Sequence, residues 1–204
     1  MRRLLLLFVC LIVWPNLSWA NKPVILVLGD SLSAAYGIDK TQGWVSQLQN
    51  RLNQQGYRYQ VINASVSGDT TRTGLTRLPA VLKQHQPQIV IVALGGNDGL
   101  RGLSFSEIEQ SLGKILTHTI RHKAKPLLAG VRLPPNYGAE YNQRFTALFQ
   151  RLTVQHQVSL IPQLLAGIDD QASLMQADRI HPNAAAQVKI VDNVWPVLQS
   201  MLAK

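Results

Sequence analysis

The chain predicts a three-layer α/β/α sandwich around a parallel sheet, and two features of its apolar patterning carry that expectation. Five short runs rich in β-branched and aliphatic residues alternate with stretches of helical spacing, the pattern of successive βα units. The third run, Ile89-Val90-Ile91-Val92-Ala93-Leu94, is apolar at every position, and a strand with no polar face must be covered on both sides.

Taken in order, strands are expected at residues 23–28, 57–62, 88–94, 126–131 and 158–161. Between the first two, Trp44, Val45, Leu48 and Leu52 recur on one helical face, and Leu75, Leu78 and Leu82 do so between the second and third. Residues 184–202 read as a closing helix with Val188, Val191, Val194, Val197 and Leu198 on its apolar side, and Pro196 is expected to bend or interrupt it. No repeat, low-complexity tract or linker divides the chain, so residues 21–204 are expected to form one domain.

The first twenty residues stand apart. Met1-Arg2-Arg3 precedes an apolar run over residues 4–14, then Pro15 and a polar stretch ending Ser18-Trp19-Ala20, the order of a secretory signal peptide. The apolar run falls well short of the ~20 residues that span a bilayer, so cleavage after Ala20 is expected rather than anchoring. Cys10, the sole cysteine, leaves with it and is a poor lipid-attachment site, since Val9 and not a small residue precedes it. The remaining chain has no thiol, which excludes disulfides, thiol catalysis and thiolate metal sites. Secretion or a periplasmic location follows, with no stable membrane anchor.

Composition narrows the partners. With 46% hydrophobic and 15% charged residues, the 204-residue chain is not a disordered one. Its net charge of +9 would suit an anionic partner, but the basic residues are scattered. The densest group, Arg121, His122, Lys123 and Lys125, is no nucleic-acid footprint. No zinc-type cluster or phosphate loop is present, so neither metal nor cofactor is expected, and the protein is expected to be a monomer.

In an open parallel sheet, ligands sit beyond the carboxyl ends of the strands. Gly29-Asp30-Ser31-Leu32-Ser33 follows the first strand, residues 63–70 the second and Gly95-Gly96-Asn97-Asp98 the third, and Asp178-Arg179-Ile180-His181 precedes the last helix. A serine becomes a nucleophile only when a base takes its proton and a carboxylate fixes the base's tautomer. Ser31, His181 and Asp178 supply those three groups. The other histidines, His85, His118, His122 and His156, read as solvated, and Asp169 and Asp170 are alternative acids. Ser31 N–H, Gly68 N–H and the Asn97 amide could converge on an oxyanion. The blander readings are a helix cap for Ser31, a structural histidine, a turn glycine at Gly68 and a loop-bonding Asn97. Asp30, Asp69 and Asp98 are expected to hold loops by accepting N–H bonds.

These four blocks, in this order, resemble the SGNH or GDSL hydrolase family, and the resemblance covers essentially the whole chain after residue 20. Residues 63–70, 77–80, 95–102 and 132–138 are similar to its bacterial members that act as thioesterase and lysophospholipase. The resemblance implies a flavodoxin-like five-stranded sheet of order 2-1-3-4-5, a Ser31-His181-Asp178 triad, and an oxyanion hole from Ser31, Gly68 and Asn97. Two positions depart from the family's glycines: Ala35 puts a left-handed backbone there in question, and Arg179 is expected to lower the pKa of Asp178. A nucleophile near the amino-terminal end, without a Gly-x-Ser-x-Gly elbow, separates the chain from the usual α/β-hydrolases.

The expected activity is hydrolysis of esters and thioesters of single fatty-acyl chains, with the small-molecule acyl ester as the partner. Leu100, Leu103, Leu133, Pro134 and Tyr137, on loops after the third and fourth strands, are the candidates for the acyl site. The alternatives are an arylesterase or carbohydrate acetylesterase and, from another class, a non-catalytic lipid-binding domain.

Overall fold

Residues 22–203 are described in the computed structural model, and the alternation of strand and helix runs through that span. The signal peptide expected over residues 1–20, with its cleavage point and Cys10, lies outside the described residues. Strands β1 (Val24–Gly29), β2 (Gln60–Asn63), β3 (Ile89–Ala93), β4 (Lys125–Ala129) and β5 (Ser159–Ile161) pair in parallel in the order β2-β1-β3-β4-β5. The helices are α1 (Trp44–Gln54), α2 (Thr71–His85), α3 (Gly96–Leu100), α4 (Phe105–Arg121), α5 (Ala139–His156) and α6 (Gln187–Gln199).

Strand alternation distributes the core to both faces. Ile25, Val27, Ile89, Ile91 and Leu127 pack against α1 and α6, whereas Leu26, Leu28, Val90, Val92 and Leu128 pack against α2, α4 and α5. Every residue of β3 is buried, as its unbroken apolar run requires. The result is the three-layer α/β/α sandwich. The chain reverses its direction of travel across the sheet at β1, which lies between β2 and β3. Gly29 stands opposite Ala93 in the β1–β3 register, so the loops after these two strands leave the sheet at one level.

Most strand ends shift by one or two residues from the sequence reading, and β2 and the closing helix shift further. β2 begins at Gln60, because Gly56, at φ 76°, ends α1 and Tyr57 N–H still donates to the Leu52 carbonyl; Tyr57 and Tyr59 are buried ahead of the strand. The closing segment starts as a 3₁₀ turn, Ala184–Ala186, and α6 ends at Gln199. Within α6, Val188 is exposed and Ile190 takes the core position. Pro196 does not interrupt α6: it and Asp192, whose carbonyl loses its partner, both face water, which can satisfy that group.

Two long-range polar contacts fix the loops. α1 starts at Gly43, which has no capping side chain, and buried Gln187 of α6 supplies an acceptor for Trp44 N–H at 2.9 Å. α2 opens with a reciprocal Thr70–Thr73 capping box, and Arg77 one turn on reaches the loop after β2 at two points and the end of β1. Its Nε donates to Asp69 Oδ2 at 2.7 Å, Nη1 to the Ala64 carbonyl and Nη2 to the Gly29 carbonyl at 3.3 Å. Arg77→Met would leave the buried Asp69 carboxylate without its cation. A loss of about 3 kcal/mol is expected in urea unfolding with an unchanged m-value. A loss below about 1 kcal/mol would show that the loops do not depend on this tether.

Candidate active site

Ser31 follows β1 where the backbone turns sharply. Gly29 is required there, since a Cβ on it would lie 2.6 Å from Ser33 Oγ and 2.9 Å from Ser65 Oγ. Asp30, 2% exposed, turns inward and accepts Leu32 N–H at 3.0 Å, while its carbonyl accepts from Ser33 and Ala34. Ser31 is thereby left facing outward from the switch point between β1 and β3.

His181 reaches Ser31 from 150 residues away along the chain, its Nε2 2.8 Å from Oγ. It is carried by a hairpin closed by the Met175–Pro182 bridge, by Gln176 N–H to the His181 carbonyl and by Asn183 N–H to the Leu174 carbonyl. Gln176 Nε2 also donates to the Tyr36 carbonyl at 2.8 Å, tying the hairpin to the loop of Ser31. The Tyr36 ring lies against the imidazole at 4.5 Å between centroids.

Asp178 Oδ2 accepts from His181 Nδ1 at 2.7 Å, and Oδ1 accepts the N–H groups of Ile180 and His181 at 3.0 Å. Nδ1 is therefore the protonated nitrogen, and Nε2 is free to accept the Ser31 proton. The His181 N–H, then its ring and the Ile180 N–H, hold the Asp178 carboxyl down at about 2. Arg179 does not contribute to that depression, contrary to the sequence expectation. Asp169 is engaged elsewhere, by Arg132 at 2.9 and 3.1 Å and Gln163 at 3.0 Å. His85, His118, His122 and His156 lie on or beside α2, α4 and α5 and do not line the site.

Both departures from glycine adopt the left-handed backbone all the same, Ala35 at φ 60° and Arg179 at φ 56°. Each costs about 1 kcal/mol relative to glycine. Ala35 keeps its methyl in space left open by Gly43, where a Cβ would come within 2.8 Å of it.

Ser31, Gly68 and Asn97, which follow β1, β2 and β3, line one cavity. The N–H groups of Ser31 and Gly68 have no acceptor among the described residues, although their neighbours Leu32, Ser33 and Asp69 all do. Gly68, at φ 85°, has a conformation suited to glycine, and nothing stands within 4 Å of where a Cβ would be. The Asn97 amide, in the first turn of α3, gives one hydrogen to the Asp69 carbonyl at 2.9 Å; Asp30 Oδ2, at 3.4 Å, is a weaker claimant. Asp98 accepts the N–H and hydroxyl of Thr71 at the start of α2, and Asp69 takes the Arg77 guanidinium rather than a backbone N–H.

Ser31 and His181 open into a cavity of about 760 Å³. Leu100, Leu133, Pro134 and Tyr137 line it, Tyr137 fixed by its hydroxyl donating to the Leu100 carbonyl at 2.8 Å. Leu103 does not line it. Its N–H closes the turn after α3 on the Asp98 carbonyl, which directs its side chain onto the core beneath α4. The sequence reading missed Tyr36, Val131, Leu165 and Met175 in the wall. Tyr36 stands five residues after Ser31 and was within reach of that reading; Leu165, between β5 and the hairpin, and Met175, in the hairpin's closing bridge, stand where no periodicity marks them.

A family model described as the GDSL-like Lipase/Acylhydrolase family matches residues 27–188. The chain belongs to that family. This GDSL-like hydrolase is 45% identical over 200 residues to the esterase TesA of Pseudomonas aeruginosa, covering 98% of its own length and 100% of that protein. It is 44% identical over 183 residues to the thioesterase 1/protease 1/lysophospholipase L1 of Escherichia coli strain K12, covering 90% and 86%. A crystal structure of TesA superposes with a TM-score of 0.87 at 46% identity, covering 88% of this chain and 99% of that one. The GDSL-like hydrolase is accordingly a serine ester hydrolase.

Asp30 gives the hydrolase a stability that depends on pH. Loss of hydration drives its carboxyl from 3.8 up to about 7, against the Leu32 hydrogen bond, with Asp69 and Asp98 adding repulsion. A folded-state pKa above the unfolded one contributes stability that is complete below pH 3.8 and is lost as pH rises through about 7. The wild type should therefore lose stability relative to Asp30→Asn across that window, at up to about 1.4 kcal/mol per pH unit. Urea unfolding of both proteins from pH 4 to 8 reads it, and a constant difference would contradict the buried neutral carboxyl.

Proposed function

We propose that this hydrolase cleaves esters and thioesters of single fatty-acyl chains, lysophospholipids among them, through an acyl-enzyme on Ser31. The observation that carries the reading is the relay from Asp178 through His181 to Ser31 at the floor of a cavity walled by Leu100, Leu133, Pro134 and Tyr137. The thioesterase and lysophospholipase named above support the substrate class by likeness.

In this mechanism His181 Nε2 takes the Ser31 proton as Oγ attacks the acyl carbonyl, and Asp178 stabilises the imidazolium. The oxyanion receives the free N–H groups of Ser31 and Gly68 and the Asn97 amide, whose remaining hydrogen is weakly held. These donors are set before charge develops, which is where such a site gains most. As the carbon–oxygen or carbon–sulfur bond breaks, His181 gives its proton to the departing alkoxide or thiolate. Water, deprotonated by the same nitrogen, then releases the fatty acid and restores Ser31. A secreted enzyme cleaved after Ala20 is part of this reading, supported by the order of basic, apolar and small residues in the leader.

Ser31→Ala should fold normally, lose several orders of magnitude of esterase turnover and no longer take a fluorophosphonate label. Retained turnover would remove Ser31 from the mechanism, and a wild type that neither turns over esters nor labels would leave a non-catalytic lipid-binding domain. Each methylene buried against the apolar wall adds up to about 0.8 kcal/mol. kcat/KM over p-nitrophenyl esters should thus climb severalfold per added carbon from acetate to the medium chains, then level off when the cavity is full. Acetate turned over as fast as octanoate would replace the fatty-acyl reading with the acetylesterase one.

A further inference from the structure

We propose that Arg179 is a specificity-determining residue that binds a phosphate-bearing leaving group. The inference deepens the proposed function and rests on it. Four observations converge on this side chain.

Arg179 lines the cavity and is exposed, two residues before His181 on the same hairpin. Its guanidinium makes no hydrogen bond or ion pair among the described residues, whereas the two other arginines nearby are engaged. Arg132 is neutralised by Asp169 at 2.9 Å, and Arg101 donates to the Gly68 carbonyl at 3.2 Å. A planar five-donor cation without an acceptor is suited to oxyanions, phosphate above all.

The backbone argues in the same direction. At φ 56° the hairpin would be relieved by glycine, so the fold does not call for an arginine there. Asp178 does not call for it either, since its charge is held by His181 and Ile180.

Position decides which half of the substrate Arg179 meets. His181 must deliver its proton to the leaving atom, so the leaving group lies on the imidazole side of Ser31. The apolar wall of Leu100, Leu133, Pro134 and Tyr137 comes from the loops after β3 and β4, and Arg179 from the hairpin that carries the imidazole. The four-residue apolar wall and Arg179 thus come from different segments, and although the hairpin also lends Met175 and Ile180 to the cavity, the unpaired cation lies with the imidazole on the leaving-group side.

Two natural sources present this chemistry, a lysophospholipid headgroup and the nucleotide of a coenzyme A thioester. Matched pairs with a common acyl chain separate them: monoacylglycerol phosphate against monoacylglycerol, and decanoyl-coenzyme A against decanoyl-pantetheine. The readout is the ratio of kcat/KM for the charged over the neutral member, at concentrations below micelle formation and at two ionic strengths. In Arg179→Gly that ratio should fall about tenfold, mainly through KM, and the fall should shrink at high salt. Arg179→Lys should restore part of it. A fall confined to one pair supports the inference and identifies the source. An unchanged ratio in both pairs, with wild-type turnover intact, overturns the role of Arg179 alone. Absence of wild-type turnover on every substrate would instead overturn the proposed function.

Discussion

Three buried carboxyl groups beneath the carboxyl edge of the sheet hold the loops on which the site depends. Asp30 takes Leu32 N–H in the loop after β1, Asp69 takes Arg77 below the loop after β2, and Asp98 at α3 takes the N–H and hydroxyl of Thr71 at the start of α2. Burying a carboxylate is unfavourable unless donors replace its water, and the three differ in how fully that happens. Asp69 has a cation and Asp98 three hydrogen bonds from one residue. Asp30 has a single backbone donor at normal distance and a long contact to Asn97, and it is the one whose proton is retained up to about pH 7. The one carboxyl of the three with neither a cation nor a hydroxyl donor immediately precedes Ser31.

The relay to Ser31 is built differently from this floor. Asp178 and His181 sit on a hairpin at the surface, and their geometry comes from hydrogen bonds rather than burial: backbone N–H groups on Asp178, the bridge between Met175 and Pro182, and Gln176 on Tyr36. The Asp178 carboxyl, held down at about 2, is ionised at neutral pH and so accepts the Nδ1 hydrogen of His181. The hairpin's carboxyl end runs through Pro182 into Gln187, which caps α1. Its position is thus referred to α1 at one end and to the loop of Ser31 through Gln176 at the other.

Legibility followed burial. β3 announced itself because all five of its residues are buried, and Trp44, Val45, Leu48 and Leu52 because each faces the same core. α6 was read in register apart from Val188, since a valine repeat every three residues drifts off a 3.6-residue face and Ile190 then fills the gap. Ser31, His181 and Asp178 were legible as residue types after strand ends. Their convergence is geometric, and no spacing in the sequence encodes a 2.8 Å contact across 150 residues. The cavity wall was the least legible part. Leu103 and Leu133 look alike as loop leucines, yet the Asp98 carbonyl turns one to the core while the other serves both core and cavity. Tertiary closure of short turns decides such cases, and a linear pattern does not contain it.

Ala35 and Arg179 show how one backbone requirement can be met for different reasons. Both stand at φ near 60°, where a side chain is unfavourable by about 1 kcal/mol. At Ala35 the methyl is buried in space left by Gly43, so packing offsets part of the strain. At Arg179 the exposed side chain lines the cavity and has no hydrogen-bond or ion-pair partner among the described residues to offset the strain. The difference separates a residue explained by the fold from one whose compensation must come from outside it. Because the hairpin and the segments after β3 and β4 are separate, a substitution at Arg179 need not repack Leu133 or Tyr137, and on the proposed function it would change only the surface offered to the leaving group. A fold of this kind can therefore keep its floor of carboxyl groups and its relay fixed while selectivity for the two halves of an ester varies independently.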